Sequence, residues 1–399
     1  MSIELPQLCL KKGEERRLVQ GHLWIYSNEI DTRITPLKSF SPGEQVVVTS
    51  AQGKPMGIAY VNPHSLITAR LVNRQALIPL DRSLFVHRIK IALSLRERIF
   101  HKPFYRLVYG ESDFLPGVVV DRFDGVLVVQ ITTAGMEAQL QALIEALQKV
   151  LKPTVIVLKN DVRIRELEGL ECYTKVAVGE LDGVIPLEEN NTRFVVDILK
   201  GQKTGWFYDH RMNRARLQQY TANKRVLDLF SYIGAWGLEM ANAGASEVFC
   251  VDASEAALDQ LEHCAQLNGF NNITSIQGNV FDVLKHLRTE KEKFDIVIVD
   301  PPAFIKRKKD FKEGLNAYRR VNQMAMQLCH RDGLLISASC SHHLTPELLL
   351  QQVQNSARHL DRYVQMLEQG HQGPDHPVHP AIPETAYIKS IITRVLPNS

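Results

Sequence analysis

The chain has no run of apolar residues approaching the roughly 18 that a membrane-spanning helix needs, and the sequence predicts no span. It has no excess of charge: 47 Lys and Arg stand against 44 Asp and Glu, a formal net charge of +3. That excludes nucleic-acid binding by overall positive charge, so any such site must be a local patch. Cysteine is scarce and dispersed. The six cysteines, at positions 9, 172, 250, 264, 329 and 340, form no CxxC pair. Their scatter argues against a zinc knuckle or a disulfide framework, predicts no metal site, and fits a reducing cytoplasm. The opening MSIELPQLCLKKGEE carries acids early and no apolar core, unlike a signal peptide. No internal repeat or low-complexity segment is present. What is there is a 399-residue chain, 45% apolar and 23% charged, with a globular composition. At roughly 100–200 residues per domain, this length suggests two or three domains.

Changes of pattern place the expected boundaries. Residues 1–75 are turn-rich with short β-runs at Gly43–Ser50, Gly57–Tyr60 and Ile67–Val72. Residues 76–185 begin with helical spacing of Leu84, Ile91, Leu95 and Ile99. Two β-runs follow, Gly117–Val120 and Val126–Ile131, joined by the hairpin signal Asp124-Gly125. A helix from about Glu137 to Leu151, stopped by Pro153, and a strand at Thr154–Leu158 complete a block without obvious chemistry. From about 186 to 399 buried strands alternate with helices: Arg225–Phe230, Glu247–Asp252, Phe294–Asp300 and Gly333–Ser339, with Ser254–Asn268 and Val280–Leu287 between them. This alternation predicts an α/β, doubly wound parallel sheet, in which ligands bind beyond the carboxyl ends of the strands.

Those strand ends carry the candidate chemistry. Asp228, Phe230, Ser231 and Gly234 lie in a strand-to-helix segment spaced like the D-x-G-x-G-x-G loop of S-adenosylmethionine enzymes, of which only Gly234 and Gly237 survive. Asp252 ends the next strand, where a carboxylate can accept both hydroxyls of a ribose. Asn279 follows the third strand, where an adenine amino group would be read. Asp300-Pro301-Pro302-Ala303-Phe304 ends another strand, and two prolines force a rigid turn that aims the Asp300 carboxylate at a flat substrate. The stretch Ile305–Arg320 then sets seven basic residues, among them Lys306, Arg307, Lys308 and Lys309, against two acids, and reads as a phosphate-backbone contact. Cys340 leaves the last strand flanked by Ser339, Ser341, His342 and His343. Cationic or donor neighbours would lower its thiol pKa from ~8.5 and populate a thiolate nucleophile.

With Gly110-Glu111-Ser112-Asp113, Asp121-Arg122, Lys203-Thr204-Gly205-Trp206-Phe207-Tyr208-Asp209, Asp300-Pro301-Pro302, Ser339-Cys340-Ser341 and Asp375-His376-Pro377, the chain resembles, essentially end to end, a family of 23S ribosomal RNA cytosine-5 methyltransferases bearing an N-terminal PUA domain. The resemblance implies a small β-rich PUA-like RNA-binding domain, a central α+β domain of EEHEE type and a Rossmann-like class I methyltransferase domain. It implies S-adenosyl-L-methionine as cofactor and large-subunit ribosomal RNA, unfolded or in early assembly, as partner, with a homodimer compatible and no membrane. It places Lys203, Thr204, Gly205, Phe207, Asp209 and Arg211 in a segment over the cofactor pocket. Ala253, Asn279, Val280 and Asp300 join the residues above at the cofactor, and Pro301, Pro302, Phe304 and the basic run meet the RNA. Ala303, His210 and Asn279 stand where the family commonly has Lys, Gln and Asp.

The chemistry that follows is methylation of C5 of a cytosine. C5 is a poor nucleophile, and addition of the Cys340 thiolate at C6 makes the ring an enamine that can attack a sulfonium methyl group. Asp300 would bond the N3 and amino edge. The base that removes the C5 proton stays unassigned. Two other readings remain open on the residues: methylation of an exocyclic amine, for which Cys340 would be dispensable, and a non-catalytic RNA-binding or assembly factor.

Overall fold

The computed structural model describes residues 5–181 and 183–398. They divide into two compact units. One comprises the chain up to Ile185 with Asp197–Tyr208 and Pro374–Thr385; the other comprises Pro186–Val196, Asp209–Gly373 and the chain from Ala386 onward. Among the described residues no helix is long and apolar enough to cross a membrane.

The first unit opens with strands β1 (Gln7–Cys9), β2 (Trp24–Ile25), β3 (Glu44–Thr49), β4 (Pro55–Val61) and β5 (Ala69–Asn73), with a short helix α1 (Glu15–Val19) before β2. They form a sheet of order β1-β3-β4-β5-β2, parallel only between β1 and β3. The three β-runs expected from the sequence are β3, β4 and β5. Helix α2 (Arg82–Ile99) follows, capped by the Asp81 carboxylate, which accepts the Leu84 N–H at 2.9 Å. A second sheet of order β10-β9-β8-β7-β6 is built from β6 (Phe104–Tyr109), β7 (Val118–Phe123), β8 (Val126–Ile131), β9 (Val155–Asn160) and β10 (Tyr173–Val178). Asp124, at φ +54°, makes the β7–β8 turn that its Asp-Gly pair predicts.

The helix expected over Glu137–Leu151 is two helices, α3 (Ala134–Ala138) and α4 (Leu140–Leu151), meeting at Gln139. The second residue of α3 is Gly135, where the Tyr60 ring leaves no room for a side chain: a Cβ there would lie 2.0 Å from Tyr60 Cγ. Tyr60 itself donates to the Pro116 carbonyl at 2.9 Å and shares a hydrogen bond with Thr133 at 3.0 Å. Ile58, Tyr60 and Val72 of the first sheet lie in one core with Leu107, Val129 and Leu158 of the second and Met136 of α3.

The second unit begins with a hairpin, β11 (Ile185–Glu189) and β12 (Thr192–Val196), and helix α5 (Arg211–Gln218). Its sheet has seven strands: β13 (Arg225–Leu229), β14 (Glu247–Asp252), β15 (Ile273–Gln277), β16 (Phe294–Val299), β17 (Cys329–Ser339), β18 (Arg362–Gly370) and β19 (Lys389–Pro397), in the order β15-β14-β13-β16-β17-β19-β18. The first five run parallel, as the sequence predicts, and β19 runs antiparallel between β17 and β18. The last two strands and the hairpin were not marked by strand–helix alternation, since no helix separates β18 from β19 or β11 from β12. Helices α6 (Ala235–Asn242), α7 (Glu255–Asn268), α8 (Val280–Thr289), α9 (Phe311–Leu328) and α10 (Pro346–His359) complete the unit. Successive residues of β13 alternate between two cores. Val226 packs with Trp236, Met240 and Leu261 of α6 and α7, whereas Leu227 and Leu229 pack with Leu284, Val321 and Ala325 of α8 and α9.

Candidate active site

The turn leaving β13 is the most contorted segment of this sheet. Phe230, Tyr232 and Gly234 have φ of +63°, +52° and +81°. Left-handed backbone is costly for a side-chain-bearing residue and persists only where its surroundings enforce it. Here the Ser231 N–H donates to the Val251 carbonyl at 3.0 Å and the Tyr232 N–H to Asp252 Oδ2 at 2.9 Å. Gly234 starts α6, and a Cβ there would lie 2.7 Å from Leu261 Cγ. Gly237, one turn on, lets α6 approach the sheet: a Cβ there would sit 2.4 Å from Cys250 Sγ. Its N–H donates to Asp228 Oδ2 at 2.9 Å. The two surviving glycines are thus fixed by conformation and by close approach.

This turn also holds unsatisfied polar atoms. Asp228 is fully buried, and among the described residues neither its Oδ1 nor the buried Ser231 Oγ has a hydrogen-bond partner. Burial pushes the Asp228 carboxyl well above the usual carboxylate range, against the opposing Gly237 N–H, and the nearby Asp300 and Asp252 charges add to the rise. Asp252 ends β14, where its two oxygens accept the Tyr232 and Ser254 N–H groups, each at 2.9 Å. An ionised carboxylate has about four acceptor positions, so two are left for a diol. Asn279 is exposed and caps α8, its side chain accepting the Phe281 N–H at 3.0 Å. Ala253 is exposed beside Asp252, and Val280 is buried beside Asn279.

Asp300 follows β16 and is held from α6, with His210, the residue before α5, close by. Trp236 Nε1 donates to its Oδ2 at 3.0 Å, and His210 Nε2 lies 3.5 Å from its Oδ1. Pro301 is buried and Pro302 exposed. The Phe304 ring is half-buried against Tyr318, with centroids 4.8 Å apart, and edge-on to Phe230 at 6.4 Å. Lys306, Arg307, Lys308 and Lys309 are all exposed, and Arg307 is engaged by Asp310 at 3.0 Å.

Cys340 lies just beyond β17 in a tightly bonded segment. The Ser339 hydroxyl pairs with the Tyr318 hydroxyl at 2.8 Å and accepts the Ser341 N–H at 3.1 Å. The Ser341 hydroxyl donates to the Ile305 carbonyl at 2.6 Å. Buried Lys389 donates to the Ser341 carbonyl. The Phe304 N–H reaches the Tyr318 hydroxyl at 3.4 Å. Three of these bonds tie the cysteine segment to the Asp300 turn by two routes: Ser341 to Ile305 directly, and Ser339 through Tyr318 to Phe304. Burial, with the nearby Cys340 and Asp300 charges, pushes the Tyr318 hydroxyl up to about 12 against the opposing Ser339 and Phe304 contacts, so it stays protonated. Tyr318, Trp236 and Lys389 were not singled out by sequence. The available signal was Lys389 interrupting the apolar run Ile388-Lys389-Ser390-Ile391-Ile392.

The remaining expected residues divide between the units. Asp209 accepts the Tyr387 hydroxyl at 2.6 Å, and Arg211 sits on Glu189 at 2.9 Å, both in the second unit. Lys203, Thr204, Gly205 and Phe207 lie in the first unit. There the buried Thr204 hydroxyl donates to Asp121 at 2.5 Å, and the Lys203 ammonium lies 4.7 Å over the Phe207 ring. Among the described residues no cluster of His, Cys, Asp and Glu could hold a metal ion.

A family model for S-adenosylmethionine-dependent methyltransferases matches residues 106–392, and one for a PUA-like domain matches residues 8–74. The chain is 36% identical over 396 residues to ribosomal RNA large subunit methyltransferase I of Erwinia tasmaniensis, covering 98% of this chain and 99% of that protein. It is 35% identical over 397 residues to the protein of the same name from Klebsiella pneumoniae, covering 98% of each. A solved methyltransferase complexed with SAH superposes with a TM-score of 0.83 at 20% identity, over 98% of this chain and all of that one, which supports the same fold.

Proposed function

The chain belongs to the S-adenosylmethionine-dependent methyltransferases, and within them to the ribosomal RNA large subunit methyltransferase I family, and on that premise we propose that it methylates C5 of a cytosine in large-subunit ribosomal RNA through a covalent Cys340–C6 bond. S-adenosylmethionine, when bound, supplies an electrophilic methyl group. The residues present suit that cofactor: the unsatisfied Ser231 hydroxyl and Asp228 Oδ1, the spare acceptor positions of Asp252, and the Phe230–Gly234 turn at the end of the central strand. In this reading Asp252 holds the ribose, while Ala253, Asn279 and Val280 border the adenine.

Cys340 adds to C6 as the thiolate, so that the sulfur pair becomes the S–C bond and electron density rises at C5. N3 takes a proton from solvent water as this happens. Asp300, steadied by Trp236 and His210, accepts the N3–H and amino N–H bonds. Pro301 and Pro302 stiffen the turn that presents this carboxylate, and Phe304 offers an aromatic edge beside it. Lys306, Lys308 and Lys309 are free to meet phosphates. Arg307 would first have to leave Asp310. Reaching C5 and C6 requires the cytosine to leave its stack, a cost of a few kcal/mol that favours a loop or a single strand, as in RNA that has not yet folded into the subunit.

The observation that carries this reading is the Ser341–Ile305 hydrogen bond, 2.6 Å, which ties the cysteine segment to the turn bearing Asp300. Cys340→Ala should abolish methyl transfer to ribosomal RNA and leave cofactor and RNA affinity nearly unchanged. Wild-type protein should form a covalent adduct with RNA carrying 5-fluorocytosine, because that substituent cannot leave as a proton does. Wild-type turnover by Cys340→Ala would discard the C5 mechanism in favour of transfer to an exocyclic amine.

A further inference from the structure

Lysine is among the residues least often buried, and a buried ammonium is expensive unless something of opposite charge or strong dipole faces it. Lys389 is only 6% exposed. It opens β19 and pairs in register with Ser339, the last residue of β17. Its ammonium bonds the carbonyl of Ser341. The lysine therefore lies across from the residue before Cys340 and grips the residue after it. One carbonyl uses one of its three donors.

From this register and hydrogen bond we propose that Lys389 is the counter-ion of the Cys340 thiolate, a positioning residue that keeps the nucleophile ionised before it meets the base. The proposal rests on Cys340 being the nucleophile, as argued above. Burial lowers the lysine from its ordinary 10.5 to about 8, while the charge of Cys340 acts in the opposite direction. The two groups are thus electrostatically linked, and at neutral pH the lysine is still mostly protonated. The other titratable groups around the thiol are less able to serve. Tyr318, on α9, is held neutral, Asp300 at the end of β16 carries the wrong sign, and His342 on the same segment is exposed, with its ring 5.7 Å from that of Tyr387.

The step balances simply. The Cys340 S–H proton goes to water, and the resulting thiolate is paired with the ammonium. When sulfur attacks C6 its electron pair becomes the new bond, and Lys389 neither gains nor loses a proton. The charge that the ammonium stabilised then resides on the ring, where Asp300 and the N3 proton accommodate it.

The test reads the thiol directly and needs no RNA or methyl transfer. Full-length protein is treated with iodoacetamide between pH 5 and 10, and alkylation of the Cys340 peptide is followed by mass spectrometry. Because alkylation tracks the thiolate, wild-type protein should show a midpoint below the ordinary ~8.5 of a thiol. Lys389→Met should raise that midpoint by about one unit, which slows alkylation at pH 7 roughly tenfold. Lys389→Arg, which keeps the charge, should retain most of the wild-type behaviour. Circular dichroism and S-adenosylmethionine titration establish that each variant is folded. An unchanged midpoint in folded Lys389→Met, or a midpoint raised as far in Lys389→Arg, would reduce the lysine to a clamp on Ser341. That outcome leaves the role of Cys340 to be decided by Cys340→Ala and the fluorocytosine adduct.

Discussion

Gly237→Ala puts the smallest side chain at the point where α6 meets the sheet. The new Cβ would lie 2.4 Å from Cys250 Sγ and 3.2 Å from Asp228 Oδ2. An unstrained carbon–sulfur contact needs about 3.5–4 Å, so the helix must retreat by roughly 1 Å or Cys250 must leave its packing. Overpacking of this kind typically costs about 1–3 kcal/mol. A retreat also stretches the 2.9 Å bond from the Gly237 N–H to Asp228 beyond hydrogen-bonding range. Leaving that buried pair unmade costs about 1–3 kcal/mol. Alanine regains about 1 kcal/mol of helix propensity. With partial relaxation, a net loss of about 2–3 kcal/mol is expected, which for a unit of this size lowers the melting temperature by roughly 5–10 °C. Because α6 carries the end of the Phe230–Gly234 turn, S-adenosylmethionine affinity should fall about tenfold, equivalent to ~1.4 kcal/mol. Thermal unfolding by circular dichroism and calorimetric titration read the two effects. Cys250→Ala in the same chain removes the obstructing sulfur and should recover most of both losses, a coupling of about 1 kcal/mol or more. Wild-type stability in Gly237→Ala, or no recovery in the double variant, would refute the close-approach argument.

Three further outcomes follow from named interactions. Asp252→Ala should weaken S-adenosylmethionine binding by roughly 10–100-fold, since each charge-assisted bond is worth ~1.5–3 kcal/mol, and unchanged calorimetric affinity would remove the ribose assignment. Replacing Lys306, Arg307, Lys308 and Lys309 with neutral residues should lower the log–log salt slope of RNA binding by about 0.7–0.9 for each phosphate no longer neutralised, with Arg307 contributing least because Asp310 already holds it. An identical slope would make the run a solvated surface. Lys389 binds a proton less readily folded, at about 8, than unfolded, near 10.5. The unfolded chain therefore holds more protons between those values, and stability contributed at this site rises with pH across that window. Urea titrations at pH 8 and 10 should show a smaller rise for Lys389→Met than for wild type, and equal rises would contradict a depressed lysine.

Four of the parallel strands of the second unit were legible because both faces are covered, which writes each as a short apolar run, three of them ending in Asp or Ser; the partly exposed edge strand β15 carries no such run. Asp252 and Asp300 could be placed for the same reason: a carboxylate at the end of such a run stands at the sheet edge. Lys389 could not. Its meaning depends on β19 returning antiparallel beside β17, a pairing across 50 residues that no local pattern encodes. Trp236 and Tyr318 were hidden differently, since an aromatic in a helix is ordinarily core, and only their hydrogen bonds with Asp300 and Ser339 reveal a second task.

The motifs of the middle block, which carried the family resemblance without any visible chemistry, have a physical explanation in the first unit. Arg96, fully buried, makes a bidentate pair with Asp113 at 2.6 and 2.7 Å and donates to the Asp375 carbonyl at 2.8 Å. Arg106 pairs with Asp121 through two bonds of 2.8 Å, and its N–H donates to the Asp375 carboxylate at 3.0 Å. Thr204 completes the set on Asp121. Asp113, Asp121, Thr204 and Asp375, one residue from each of four of these motifs, are therefore parts of one buried polar network with Arg96 and Arg106. Removing one partner from such a network strands the others away from water, a penalty of about 3–5 kcal/mol for a buried ion pair. Burial alone is enough to demand these residue types at these positions. A motif without visible chemistry, met in a sequence, is thus as informative about which distant segments must close on one another as Asp300 and Cys340 are about the reaction.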